Sequence, residues 1–139
     1  MRVIKFRGKP LNGGDWVVGS LIIDPKGHHF ILPFDAEGID RLVEVRPESV
    51  SQFSGLQDRY YQDIYENDLL MVWNKGRSKP KQPSLHNVGI CRYIRDDSFA
   101  GWVIKPLKGM GFFNLDMIEM EIIGNISEDV IIEKDVFEK

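Results

Sequence analysis

The sequence predicts an all-β protein of mainly antiparallel strands, and three features carry that prediction. Up to residue 126 the apolar residues recur mostly in runs of four to seven, the runs end at Gly, Pro, Asn or Asp, and their interiors favour β-branched and aromatic side chains.

Val3-Ile4-Lys5-Phe6 opens the series. Asn12-Gly13-Gly14 supplies residues that accept positive φ, and Trp16 to Ile23 then reads as the second strand of a hairpin. Pro25-Lys26-Gly27 turns the chain into His28-His29-Phe30-Ile31-Leu32, which Pro33 ends because it has no N–H to donate. A three-stranded meander follows from this spacing. Leu42-Val43-Glu44-Val45 and Val50-Ser51-Gln52-Phe53 resume the extended pattern on either side of a turn at Pro47-Glu48-Ser49. Asp63-Ile64-Tyr65 leads into a turn at Glu66-Asn67-Asp68 and then into Leu69-Leu70-Met71-Val72-Trp73, whose continuous apolar run predicts a central strand. Asn74 to Asn87 is polar, basic and interrupted by Pro80 and Pro83, the composition of an exposed loop. Val88–Ile94, Trp102–Ile104, Phe112-Phe113 and Met120–Ile126 are predicted as four further strands. From Ser127 onward a capping Ser followed by Glu128 and Asp129 predicts a short C-terminal helix, or else an acidic tail.

The 139 residues and 42% hydrophobic content suit a single domain with one continuous core. Neither a bilayer-spanning apolar run nor a signal-peptide segment is present, which predicts a cytoplasmic protein and no membrane partner. Cys91 is the single cysteine, so no internal disulfide can form and a thiolate metal site would need three other ligands. The net charge of −3 argues against dense coating of nucleic acid. The charge is nevertheless uneven. Arg2, Lys5, Arg7 and Lys9 load the first strand, Lys75, Arg77, Lys79 and Lys81 load one loop, and acids dominate from Asp116 to Glu138.

Candidate chemistry is sparse. His28 and His29 point to opposite faces of a strand and cannot easily share a metal, and His86 lies in the basic loop. No serine sits in a nucleophile elbow, and Gly109-Met110-Gly111 lacks the third glycine and the helix of a phosphate-binding turn. Asp96-Asp97 and Glu66/Asp68 fit turns that bond local backbone better than acid–base pairs. Neither a catalytic residue nor a cofactor is therefore predicted. The stretch with binding character is the basic loop, where Lys75, Arg77, Lys79 and Lys81 could neutralise phosphates while Trp73 stacks on a base.

Taken in order, Ile4-Lys5-Phe6-Arg7-Gly8-Lys9, Trp16 with Gly19, Val50 to Asp58, Ile64-Tyr65-Glu66-Asn67-Asp68 and Ile122-Ile123-Gly124-Asn125-Ile126 resemble the YopX family of phage and prophage proteins of unknown function. The resemblance spans nearly the whole chain and implies a β-rich fold and a phage or prophage origin in a bacterial host, with no catalytic residue to carry over. Two departures stand out: Asn67 replaces a customary glycine, and Arg59-Tyr60-Tyr61-Gln62 replaces an Asn-Gly-type turn, which predicts a different or longer turn there.

The expected layout is a single YopX-like domain with an N-terminal β-sheet half (1–57), an SH3-like barrel half (58–126) on which that sheet packs, and the tail or helix 127–139. The expected function is a non-enzymatic phage accessory protein that binds a protein partner of unknown identity, as a homo-oligomer. Nucleic-acid binding through residues 75–81 is the alternative, and a small enzyme using His28 or His29 is the third reading.

Overall fold

The structure, a computed structural model, describes residues 3–38 and 41–126. The predicted C-terminal helix or tail lies outside them. The chain is all-β, with antiparallel strand pairs, and it divides into two compact units, Met1–Phe53 and Ser54–Lys139.

In the first unit β1 (Phe6–Gly8), β2 (Val17–Ile23), β3 (His29–Pro33) and β4 (Val43–Val45) form a meander, and β5 (Ser51–Gln57) begins beside β1, giving the order β4-β3-β2-β1-β5. The expected N-terminal sheet closes on itself, which the sequence reading did not foresee. The chain leaving β1 bends onto the far edge strand: Arg46 N–H donates to Lys9 O at 2.8 Å, Leu11 N–H donates to Glu44 O at 3.1 Å, and Pro10 bridges Val45. A free edge is thereby covered. Gly8 permits the closure, since a Cβ there would lie 2.9 Å from the Val45 side chain. A 3-10 turn at Pro47–Ser49 then carries the chain from β4 to β5, and Ser49 Oγ ties it to β1 by accepting from Lys9 N–H at 2.8 Å while donating to Arg46 O at 2.7 Å.

The Lys-Phe-Arg-Gly-Lys sequence has a physical reading here. Period-two alternation puts Lys5, Arg7 and Lys9 on one face of β1. The Arg7 guanidinium carbon and Lys9 Nζ stand 4.2 and 4.7 Å from the centre of the Trp16 ring, and Lys5 Nζ stands 4.6 Å from that of Phe53. Arg7 Nε also donates to Ser51 Oγ at 3.3 Å. His28 belongs to the turn before β3, which His29 begins: Asp24 accepts from Lys26 N–H and His28 N–H, and its Oδ2 lies 3.1 Å from His28 Nδ1. The His28 N–H is the main reason the Asp24 carboxyl titrates below its ordinary value. This turn therefore holds its bonded carboxylate at neutral pH and loses it as pH falls through that lowered value. An NMR acid titration should move the Lys26 and His28 amide signals together at a pH below the ordinary Asp range.

The second unit contains β6 (Asp63–Tyr65), β7 (Asp68–Asn74), β8 (Val88–Arg95), β9 (Ala100–Pro106) and β10 (Ile118–Asn125), with a curled four-stranded half-barrel in the order β10-β7-β8-β9. Its strand, long loop, strand, turn, strand spacing is the one predicted for residues after Asp68. β7 is central as predicted, and every residue from Asp68 to Trp73 is buried. Leu70 and Val72 pack with Ile64, Cys91, Ile104 and Met120 in the core, where each large side chain contributes roughly 1.5–3 kcal/mol by leaving water. Phe112-Phe113 forms no strand, because Gly109 and Gly111 both take positive φ and let the chain bend away after Leu107. Only the Phe113 N–H returns to the sheet edge, donating to Ile104 O at 3.0 Å.

Cys91 is fully buried in this core, and burial first, then the Asp68 charge, pushes its thiol up to about 12. A thiol kept protonated and out of solvent is inert. The native protein should therefore give no reaction with a disulfide reagent at pH 8, whereas the urea-unfolded chain should release one equivalent, matching its single cysteine.

Candidate functional site

The turn between β5 and β6 presents the most exposed aromatic ring among the described residues of the second unit. Asp58 N–H donates to Gln62 O at 2.9 Å and Tyr61 N–H donates to Asp58 O at 3.0 Å, so the hairpin is tight rather than lengthened. Tyr61 takes φ +62°, the left-handed position where such hairpins usually place glycine. What holds a bulky residue there is the buried Asp58 carboxylate, which accepts from Tyr60 N–H at 2.8 Å, Gln62 N–H at 2.9 Å and, across to β10, Ile122 N–H at 3.2 Å. Asn67 solves its own turn in the same way, at φ +72°, with its side-chain oxygen accepting from Arg92. The glycine replacements therefore keep their turns.

Held in this way, Tyr61 is 80% exposed and Tyr60 49% exposed. The basic loop reaches the same place. Lys79 Nζ lies 5.7 Å from the centre of the Tyr60 ring and 3.4 Å from its hydroxyl, and it pairs with Glu121 on β10 at 2.9 Å. The Glu121 bond, then the Tyr60 bond, raise the Lys79 pKa above its ordinary value, so the ammonium stays charged. Arg59 pairs with Glu119 at 3.2 Å, and a groove of about 350 Å³ beside it is lined by Asp58, Arg59, Lys75, Leu115 and Glu119 among others. Lys75, Arg77 and Lys81 are exposed and make no ion pair with a described carboxylate.

The predicted binding residues thus separate. Lys75, Arg77, Lys79 and Lys81 stand on an exposed loop, while Trp73 is 6% exposed in β7 and offers no open face. The aromatic ring that meets the loop is Tyr60, with Tyr61 next to it in the same turn, which sequence reasoning noted only as a departure in a turn. The available signal was two adjacent aromatics in a segment punctuated as a turn, where side chains point outward.

Among the described residues no three His, Cys, Asp or Glu side chains gather as a metal site, and no helix is long and apolar enough to cross a membrane. The motif aspartates Asp58 and Asp68 stand instead at strand ends, both buried and bonded to backbone N–H groups of the adjoining turns. The family model described as YopX protein matches residues 5–131. The chain belongs to the YopX family. Neither a curated protein nor a solved structure matches it. In this YopX chain the segments that carry the family pattern build the two units: Gly8 closes the first, Asp58 holds the tyrosine turn, and Asp68 and Asn125 pair across β7 and β10.

Proposed function

We propose that this YopX chain is a non-enzymatic accessory protein of a phage or prophage, working in the bacterial cytoplasm by binding and as a homo-oligomer. The observation that supports this reading is where its large apolar side chains stand. Besides Tyr60 and Tyr61, the second unit leaves Phe99 and Phe112 exposed and stacked at 6.4 Å, with Tyr93 exposed against Trp102 at 5.3 Å and Met110 almost wholly in solvent. Exposed aromatic groups of this kind are enriched at interfaces, where they contribute most of the affinity. One carboxylate of each candidate acid–base pair is occupied with turn geometry: Asp96 accepts from Ser98 and Phe99 N–H, and Asp68 from Tyr65 N–H.

Light scattering on the purified chain at 50 and 500 mM salt tests the reading. Self-association through apolar side chains should give a mass that is a multiple of 16.0 kDa and does not fall at high salt. A salt-independent monomer would remove the oligomer from the proposal.

A further inference from the structure

We infer that the Tyr60–Tyr61 face binds a single strand of nucleic acid, the two rings stacking on bases and Lys75, Arg77 and Lys81 contacting phosphates. This rests on the reading of the chain as a binding protein and names the ligand of one of its faces. Three observations converge on it.

The rings are presented rather than packed, at 80% and 49% exposure, on a turn fixed by the Asp58 carboxylate. Little ordering remains to be done when a base arrives, so stacking energy is not lost to stiffening the loop. Lys79 docks on Tyr60 and so brings the basic loop to the rings, while Lys75 lines the groove beside Arg59 at the foot of the same turn. Glu119 and Glu121 pair with Arg59 and Lys79, so Lys75, Arg77 and Lys81 are the loop cations that make no ion pair with a described carboxylate, although Lys75 shares its groove with Asp58 and Asp116.

Two rings with a short cationic loop are the elements of a single-strand site, in which bases stack on aromatic faces and the backbone follows the positive charge. A duplex hides its base faces within the stack and gives the tyrosines no partner. An acidic peptide would engage the lysines and leave the rings idle. The net charge of −3 fits a site of few phosphates rather than a coating protein.

The test is fluorescence anisotropy with labelled dT20 and with the corresponding duplex, between 50 and 200 mM NaCl. Three phosphate contacts to a single strand predict a slope of log affinity against log salt of about −2. The wild type should prefer dT20 to duplex. The double variant Tyr60→Ser/Tyr61→Asn, chosen because Asn accepts positive φ, should weaken dT20 binding about tenfold or more and keep the slope. The triple variant Lys75→Ser/Arg77→Ser/Lys81→Ser should flatten the slope, and the circular dichroism of both variants should match the wild type. Equal binding of duplex and dT20, equal displacement of dT20 by polyglutamate, or indifference to the tyrosine changes in a folded variant would each overturn the inference. If the wild type ignores dT20 yet remains a salt-stable oligomer, the nucleic-acid inference fails while the binding-protein reading stands.

Discussion

Gly19→Ala is expected to destabilise the protein by at least about 3 kcal/mol, among the largest losses a single methyl can cause here. Gly19 is buried on β2, paired with Phe6 on one side and Pro33 on the other. A Cβ at this position would stand 2.0 Å from Leu32 O and 2.7 Å from its carbonyl carbon. Both are backbone atoms of the neighbouring strand, so no rotamer change can relieve the overlap. β2 and β3 would have to separate, breaking the ladder that runs from Gly19↔Pro33 to Ile23↔His29. Urea unfolding followed by the Trp16 indole N–H signal in NMR measures the effect within the first unit, and Ser20→Ala, one residue along and exposed, is the control that should leave the midpoint in place.

Asp68→Ala should cost about 2–5 kcal/mol, from the removal of a buried charged acceptor. Asp68 is 1% exposed, and its carboxylate accepts from Tyr65 N–H at 2.8 Å and from Asn125 Nδ2 at 3.0 Å. Alanine takes the acceptor from a turn N–H and from a buried amide at once. The loss falls at one end of the β7–β10 ladder, because Asp68 begins β7 and Asn125 ends β10 opposite it. Asn125→Ala should do less damage, since the amide leaves together with its own need for a partner. A double-mutant cycle over the two positions, read from urea midpoints, should return a coupling of about 1 kcal/mol or more.

These residues also show which parts of the molecule were legible in its sequence. Strand positions followed from punctuation by Gly, Pro and Asn, and the central strand followed from the unbroken Leu69–Trp73 run, because both signals are local. Closure of the first unit was not legible, since nothing local in Lys9-Pro10-Leu11 says that it will meet Glu44 and Arg46. Phe112-Phe113 read as a strand from its β-forming residues, yet the flanking glycines bend the chain there. At the candidate site the four loop cations were legible as a run of like charge. Trp73 was read as a stacking ring because it adjoins that run in sequence, whereas alternation along a strand buried on both faces keeps it inside. The tyrosine turn went unrecognised as a site because the residue that supports it, Asp58, draws one of its three N–H donors from β10, 64 residues away.

Different residues keep the fold and present the surface: Asp58 and Asp68 hold turns together, and Asp58 holds Tyr60 and Tyr61 out. The most direct test is the urea midpoint of Tyr60→Ser/Tyr61→Asn against that of Asp68→Ala. The tyrosine variant should unfold at the wild-type midpoint or slightly above it, since Asn relieves the left-handed strain at position 61, while Asp68→Ala falls well below. A loss in the tyrosine variant as large as that of Asp68→Ala would mean that the rings belong to the fold, and the exposed face would have to be abandoned as a binding surface.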